Sequence, residues 1–163
     1  MMDILTPLGQ QAAQQELEAA AIFEENFPHI KYVHTPKDKP AKVDAVLTKD
    51  GEICAVVETK CRNFSMEKFR KEYWMQWLLT QDKVMQAVEV AASLHVPFVG
   101  FLYMVPDKTL MVLRISEPDG TLCADMGHAN TYTKETVNGG RVLRHNVFIS
   151  MKKAKTYTSK KEK

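Results

Sequence analysis

Long apolar runs are missing from this chain of 163 residues: no stretch of about 18 apolar residues occurs, so no membrane-spanning helix is expected. The opening segment MMDILTPLGQQAAQQ lacks the basic stretch and apolar core of a secretory signal, and the chain reads as soluble, intracellular and cytoplasmic. Cysteine is scarce. Cys54, Cys61 and Cys123 are odd in number and form no CxxC pair, which excludes a disulfide framework and a zinc knuckle and leaves reduced thiols. The five histidines, His29, His34, His95, His128 and His145, show neither HxxxH nor HxH spacing, so no histidine metal site is expected. The absence of a P-loop and of GxGxxG argues against nucleotide-driven activity. Seven glycines and seven prolines are not gathered into a linker, and no internal repeat appears. The expectation is one domain over 1–150, with 45% hydrophobic residues to build its core, and a basic C-terminal tail over 151–163.

The formal net charge of +2 hides an uneven distribution. From Met151 to Lys163 there are six lysines against Glu162, a local net of +5 that leaves the rest of the chain at −3. Such an end attracts a polyanion through phosphate contacts and counterion release. The same lysines also suit a frayed, solvated terminus, the reading favoured for the last eight residues.

Hydrophobic periodicity predicts a helix over about Gln11–Asn26, closed by Phe27-Pro28 because the residue before proline disfavours helix. At about 100° per residue, Ala12, Ala13, Ala19, Ala20, Phe23 and Phe27 share a face, with Glu16 in its middle and Glu18 on the polar side. A carboxylate there is costly unless a cation or a hydrogen-bond donor meets it. Short strands are predicted at Ile30–His34, Lys42–Leu47 and Ile53–Lys60, the last two joined through Asp50-Gly51. Ser65–Lys71 reads as a short helix, while Tyr73–Leu79 suits either a strand or a helix. Thr80 is a plausible N-cap for a helix over Gln81–His95, ended by Pro97. Phe98–Val105, Leu110–Ile115 and Val142–Met151 complete the strands. This order predicts an α/β fold with a mixed sheet flanked by helices.

Chemistry concentrates in the hairpin. Residues i and i+2 of a strand share a face, so Glu58 and Lys60 point together. Asp44 joins them only under the right register. A plain two-residue Asp50-Gly51 turn sets Asp44 opposite Val57, on the wrong face, whereas a three-residue loop over Lys49-Asp50-Gly51 with a bulge sets it opposite Val56. Gly51 permits the second arrangement, because it takes positive φ without a Cβ penalty. The run Ile53–Val57 is apolar on both faces, and charge appears only at the strand's far end, as if delivered to a cleft. Two carboxylates there would bind a hard divalent cation such as Mg²⁺, and Lys60 would orient a water or neutralise charge on a phosphate. The spacing alone also describes an exposed strand face carrying a Glu-x-Lys pair; the hairpin, the apolar lead-in and Glu16 favour a site.

With Glu16 on the first helix, Asp44 at a strand start and Glu58-Thr59-Lys60 ending the next strand, the chain resembles the PD-(D/E)XK nuclease superfamily, over roughly Glu16–Ile115. The resemblance implies a restriction-endonuclease-like αβββαβ core and a Mg²⁺-dependent (or Mn²⁺-dependent) DNA nuclease. Its metal ligands would be Asp44, Glu58 and Thr59, with Glu16 added as in some branches, and Lys60 would be the catalytic lysine. Val43 stands where proline would complete the signature.

Lys42, Arg62 and Lys83 are candidate DNA contacts, with Arg114, Arg141 and Arg144 behind them; each also suits a solvated surface. Trp74 and Trp77 are candidates for base stacking, although core or subunit-interface packing is the better reading of both. The expected function is hydrolysis of DNA phosphodiesters, as an endonuclease of phage, mobile-element or repair and recombination origin, with some preference for branched DNA. The alternatives are an exonuclease of the same fold and a module that binds nucleic acid or a protein partner without cutting. Cleavage of two strands would suit a homodimer.

Overall fold

The computed structural model describes residues 7–35, 43–132 and 143–160. Helix α1 (Pro7–Asn26) is followed by strands β1 (Ile30–His34), β2 (Ala45–Lys49) and β3 (Glu52–Arg62). Next come α2 (Met66–Glu72), β4 (Gln76–Thr80), α3 (Gln81–Ser93) and β5 (Phe98–Met104). A 3-10 turn at Val105–Asp107 leads into β6 (Thr109–Ser116), β7 (Met126–Tyr132), β8 (Leu143–Ser150) and β9 (Lys155–Thr158).

The fold is α/β, built on a mixed six-stranded sheet in the order β1-β2-β3-β5-β6-β9, with a second sheet ordered β4-β8-β7. Among the described residues only β3 and β5 run parallel, joined by the crossover that contains α3. Alternation along the central strands divides the core. Ala55, Val57, Val99 and Phe101 pack with Ala19, Ala20, Ile22 and Phe23 of α1. Val56, Phe98 and Leu102 pack on the other face with Val84, Ala87, Val88 and Ala91 of α3, and with Trp77, Val147 and Ile149 of the smaller sheet. Among the described residues no helix is long and apolar enough to cross a membrane.

The hairpin brings Asp44 to the required face by a different route from the three-residue loop, and in a different register, alongside Glu58 and not opposite Val56. Lys49 pairs with Glu52 across a two-residue turn in which Asp50 and Gly51 are both left-handed, with φ of 53° and 80°. The bulge lies further on: Thr48 pairs with Ile53 but Leu47 with Ala55, so Cys54 is the extra residue. It shifts the rest of β3 by one, giving Ala45 opposite Val57 and setting Asp44, just before β2, alongside Glu58.

Two further departures from the sequence reading have physical causes. Part of the basic tail is strand β9, paired with β6, because Tyr157 packs edge-on against Phe27 at 5.2 Å and α1 grips the backbone: Asn26 Nδ2 donates to the Thr158 carbonyl at 3.0 Å. The Glu25 carboxylate also accepts from Ser159 Oγ and the Lys160 amide. The ambiguous segment at 73–79 resolves into the end of α2, a tight turn and β4. In that turn Trp74 and Met75 have φ of 52° and 55°, a conformation that costs an L-residue roughly 1–2 kcal/mol each.

Candidate active site

Strand β3 is buried through its middle and emerges at Lys60, so its end delivers charge to the edge of the core. Glu58 lies on the face shared with Val56 and α3 and is 1% exposed. Its parallel neighbour on β5 is Gly100, above which sits the indole of Trp77: a Cβ on Gly100 would stand 2.6 Å from Trp77 Cζ3. The missing side chain lets the ring close over the sheet beside Glu58.

Lys60, two residues on, brings its Nζ to 3.6 Å from Glu58 Oε1, and Lys83, in the first turn of α3, brings its Nζ to 3.3 Å from the same oxygen. Neither lysine makes a hydrogen bond there: among the described residues, both Glu58 oxygens are buried without a hydrogen-bond partner. Such an arrangement is expensive for an ionised carboxylate. Burial, and then the neighbouring charge of Asp44, push the Glu58 carboxyl up from 4.5 to about 7, against the opposing pull of Lys83 and Lys60.

Asp44 is held from behind. The Thr35 amide and hydroxyl both donate to the Asp44 carbonyl, and the Asp44 amide donates to the Val57 carbonyl. Its Oδ2 accepts the Thr59 amide at 2.9 Å, where β2 has not yet begun and a carboxylate stands in for the ladder carbonyl. Asp44, Glu58, Lys60 and Lys83 are therefore brought together. Arg62 lies two residues beyond Lys60 on the same strand face and is half-buried; Nη1 donates to the Cys61 carbonyl, and desolvation lowers its pKa.

Glu16 and the Thr59 side chain go to the opposite face. Tyr32 Oη donates to Glu16 Oε1 at 2.7 Å and contacts Thr59 Oγ1 at 2.7 Å, while His34 Nδ1 lies 3.5 Å from Glu16 Oε1. This is the donor that the carboxylate on the apolar face of α1 required. Burial, and then the Glu16 charge, raise the Tyr32 pKa and keep the phenol protonated. Thr59 turns its hydroxyl away from Glu58, so any ligand role would fall to its main chain. Among the described residues, no third His, Cys, Asp or Glu joins Asp44 and Glu58 in a metal-binding group.

Lys42 and Arg141 lie outside the described residues, as does the side chain of Arg144. Arg114 is paired with Glu117 at 3.1 Å. Trp77 is core, as the packing reading had it, whereas Trp74 is 68% exposed. Sequence reasoning missed the wall formed by Trp77 over Gly100 and the bridge formed by Tyr32. The first left one signal, a glycine inside the apolar run Phe98–Met104, which marks a close approach.

Comparison with protein-family models, with curated proteins and with solved structures finds no match to this chain.

Proposed function

We propose that the chain is a Mg²⁺-dependent DNA nuclease whose site is Asp44, Glu58 and Lys60, assisted by Lys83. The observation that carries this reading is the buried Glu58 carboxylate, without a hydrogen-bond donor among the described residues, beside a second carboxylate and between two ammonium groups. Two converging carboxylates suit a hard cation that keeps its waters and shares its remaining positions with substrate phosphate. The element order α1-β1-β2-β3, then α3-β5, supports the αβββαβ restriction-endonuclease-like assignment, with α2 and β4 inserted before α3.

In this reading Asp44 and Glu58 hold the ion, with the Thr59 main chain as a further oxygen donor. Glu16 acts from the other face through Tyr32 and Thr59. A bound Mg²⁺ supplies charge stabilisation at the phosphate and makes a bound water more acidic. Lys60 orients the attacking water and offsets the developing phosphate charge. Lys83 carries the second positive charge at the site, and Arg62 and Lys42 extend contact along the DNA backbone. Glu58 is buried, so its charge acts in a medium of low polarity, while Lys60 and Lys83 reach the surface. The sum is in-line hydrolysis: water oxygen bonds to phosphorus, the ester oxygen leaves with a proton, and no enzyme-linked intermediate forms.

The test incubates the chain with supercoiled, linear, single-stranded and four-way-junction DNA in Mg²⁺, Mn²⁺ or EDTA. Cleavage that requires metal and disappears in Asp44→Ala and Lys60→Ala is expected. If no substrate is cut, the chain is a binding module; ladders trimmed from the ends would identify an exonuclease.

A further inference from the structure

We infer that Trp74 is a stacking platform for an unpaired nucleobase, which makes single-stranded or branched nucleic acid the preferred substrate class. The inference rests on the nucleic-acid reading above and names its substrate. Trp74 occupies the left-handed position just past the end of α2, a place where glycine ordinarily closes a helix. A tryptophan is the wrong residue for a helix terminus, and its ring is 68% exposed, so core packing does not account for it. The unfavourable backbone is held in place from three sides. The Met75 amide donates to the Phe69 carbonyl at 3.0 Å, the Gln76 amide to the Tyr73 carbonyl at 2.9 Å, and the Met151 amide to the Met75 carbonyl at 2.7 Å. Tyr73, also exposed, stacks on Phe64 with centroids 4.8 Å apart. Strain that is over-determined by its surroundings and spent on exposing one aromatic ring is a mark of a binding element.

Charge and position identify the occupant. Lys152 directly follows Met151, whose amide pins the Trp74 turn; Lys153 comes next, its Nζ 3.7 Å from Asp125 Oδ2, and Lys155 lies two residues further on, at the start of β9. An exposed indole whose turn is tied through the main chain to the start of a lysine-rich segment suits capture of bases by stacking and of the backbone by charge. The turn also adjoins the site strand. Phe64, under Tyr73, lies six residues beyond Glu58, at most roughly 20 Å of extended chain, or on the order of six base pairs of duplex.

Trp77 is buried, so emission changes on binding report chiefly on Trp74. The full chain in EDTA is titrated with a thymine homopolymer, a blunt mixed-sequence duplex and a four-way junction. The homopolymer and junction should quench tryptophan emission, the duplex should not, and the quench should vanish in Trp74→Phe while affinity stays within about twofold. Trp74→Gly should weaken homopolymer and junction binding about tenfold, leave the duplex within twofold, and melt no lower than the parent, since glycine accepts the left-handed backbone. Quenching that persists in Trp74→Phe, or unchanged homopolymer affinity in Trp74→Gly, overturns the inference. So does a tryptophan blue shift with protein concentration alone, accompanied by dimer sedimentation that Trp74→Gly reverses, because the ring would then be an interface between copies. Quenching without cleavage in Mg²⁺ or Mn²⁺ would remove the nuclease reading and leave this one standing. Cleavage indifferent to Trp74 would do the reverse.

Discussion

The two faces of β3 at its exit from the core treat their polar groups in opposite ways. On the α1 face, Tyr32 satisfies Glu16 and Thr59 through two contacts of 2.7 Å. On the α3 face, Glu58 is more deeply buried, yet among the described residues neither oxygen has a hydrogen-bond donor, and its charge is opposed by Asp44. A structural polar group is normally paired when buried. Among the described residues this carboxylate has ion pairs, with lysines at 3.3 and 3.6 Å, but no hydrogen-bond donor, and on the proposed reading a bound cation would complete its surroundings. On the proposed reading the difference separates a bracing network from a working site, although both hang on adjacent residues of one strand.

The largest expected effect would break that division if it failed. Asp44→Ala, Glu58→Gln and Lys60→Ala should each lower metal-dependent cleavage of supercoiled DNA by about a thousandfold, the scale for removing one preorganised charge-stabilising group. Glu16→Gln should keep activity within about tenfold, since Glu16 meets Tyr32 and His34 on the other face. A loss at Glu16 equal to that at Asp44 would mean that both faces serve one metal.

Next in size is the pH dependence of the metal-free protein. An acid whose folded-state pKa is raised by burial favours the protonated fold. The stability linked to Glu58 is therefore fully present below pH 4.5 and is lost as pH rises through about 7, a swing of roughly 3 kcal/mol. Urea unfolding in EDTA from pH 4.5 to 8 should trace the loss. Glu58→Gln should flatten it, and Mg²⁺ added at pH 8 should recover stability in the parent but not in the variant.

Much of this site was legible beforehand because strand parity is a rigid constraint. Glu58 and Lys60 had to share a face, and Asp44 could join them only if one residue was added to the hairpin. Which residue was added could not be read. Asp50-Gly51 suits a two-residue turn and also a longer loop, and the bulge at Cys54 follows from Ala55 and Val57 entering the α1 core while Ile53 stays at the surface. Helix α3 and strand β5 followed from periodicity and a continuous apolar run, whereas β7 and β9 did not. Polar edge strands such as Lys155–Thr158 are defined by partners distant in sequence, here β6 and the end of α1. Lys83 was legible only as a candidate DNA contact; its approach to Glu58 comes from its place in the first turn of α3. The role of Tyr32 was invisible, because nothing local marks a tyrosine that will meet a helix carboxylate sixteen residues earlier.

Gly100→Ala disturbs the working face without touching its charges. The new Cβ would lie 2.6 Å from Trp77 Cζ3 and 2.9 Å from Ile115 Cδ1, so the ring must move. Overpacking of this kind costs typically about 1–3 kcal/mol. A displaced ring also admits water to Glu58, which should bring its pKa back toward 4.5 and shrink the pH dependence described above. Melting temperature and pH dependence measured together distinguish the outcomes: a stability loss with an unchanged pH profile would show that Trp77 does not wall Glu58.

The smallest effect is expected on the braced face. Tyr32→Phe keeps the ring among Phe101 and His34 and removes only the hydroxyl between Glu16 and Thr59. Thr59 loses a buried partner, at a cost of about 1–2 kcal/mol, which thermal unfolding would register as a drop of a few degrees. Cleavage should change by less than about threefold, since the Thr59 amide still donates to Asp44 Oδ2 through the main chain. If Tyr32→Phe instead lowered activity as much as Lys60→Ala while the protein stayed folded, the bridge would be part of the chemistry, and the two faces of β3 would have to be treated as one site.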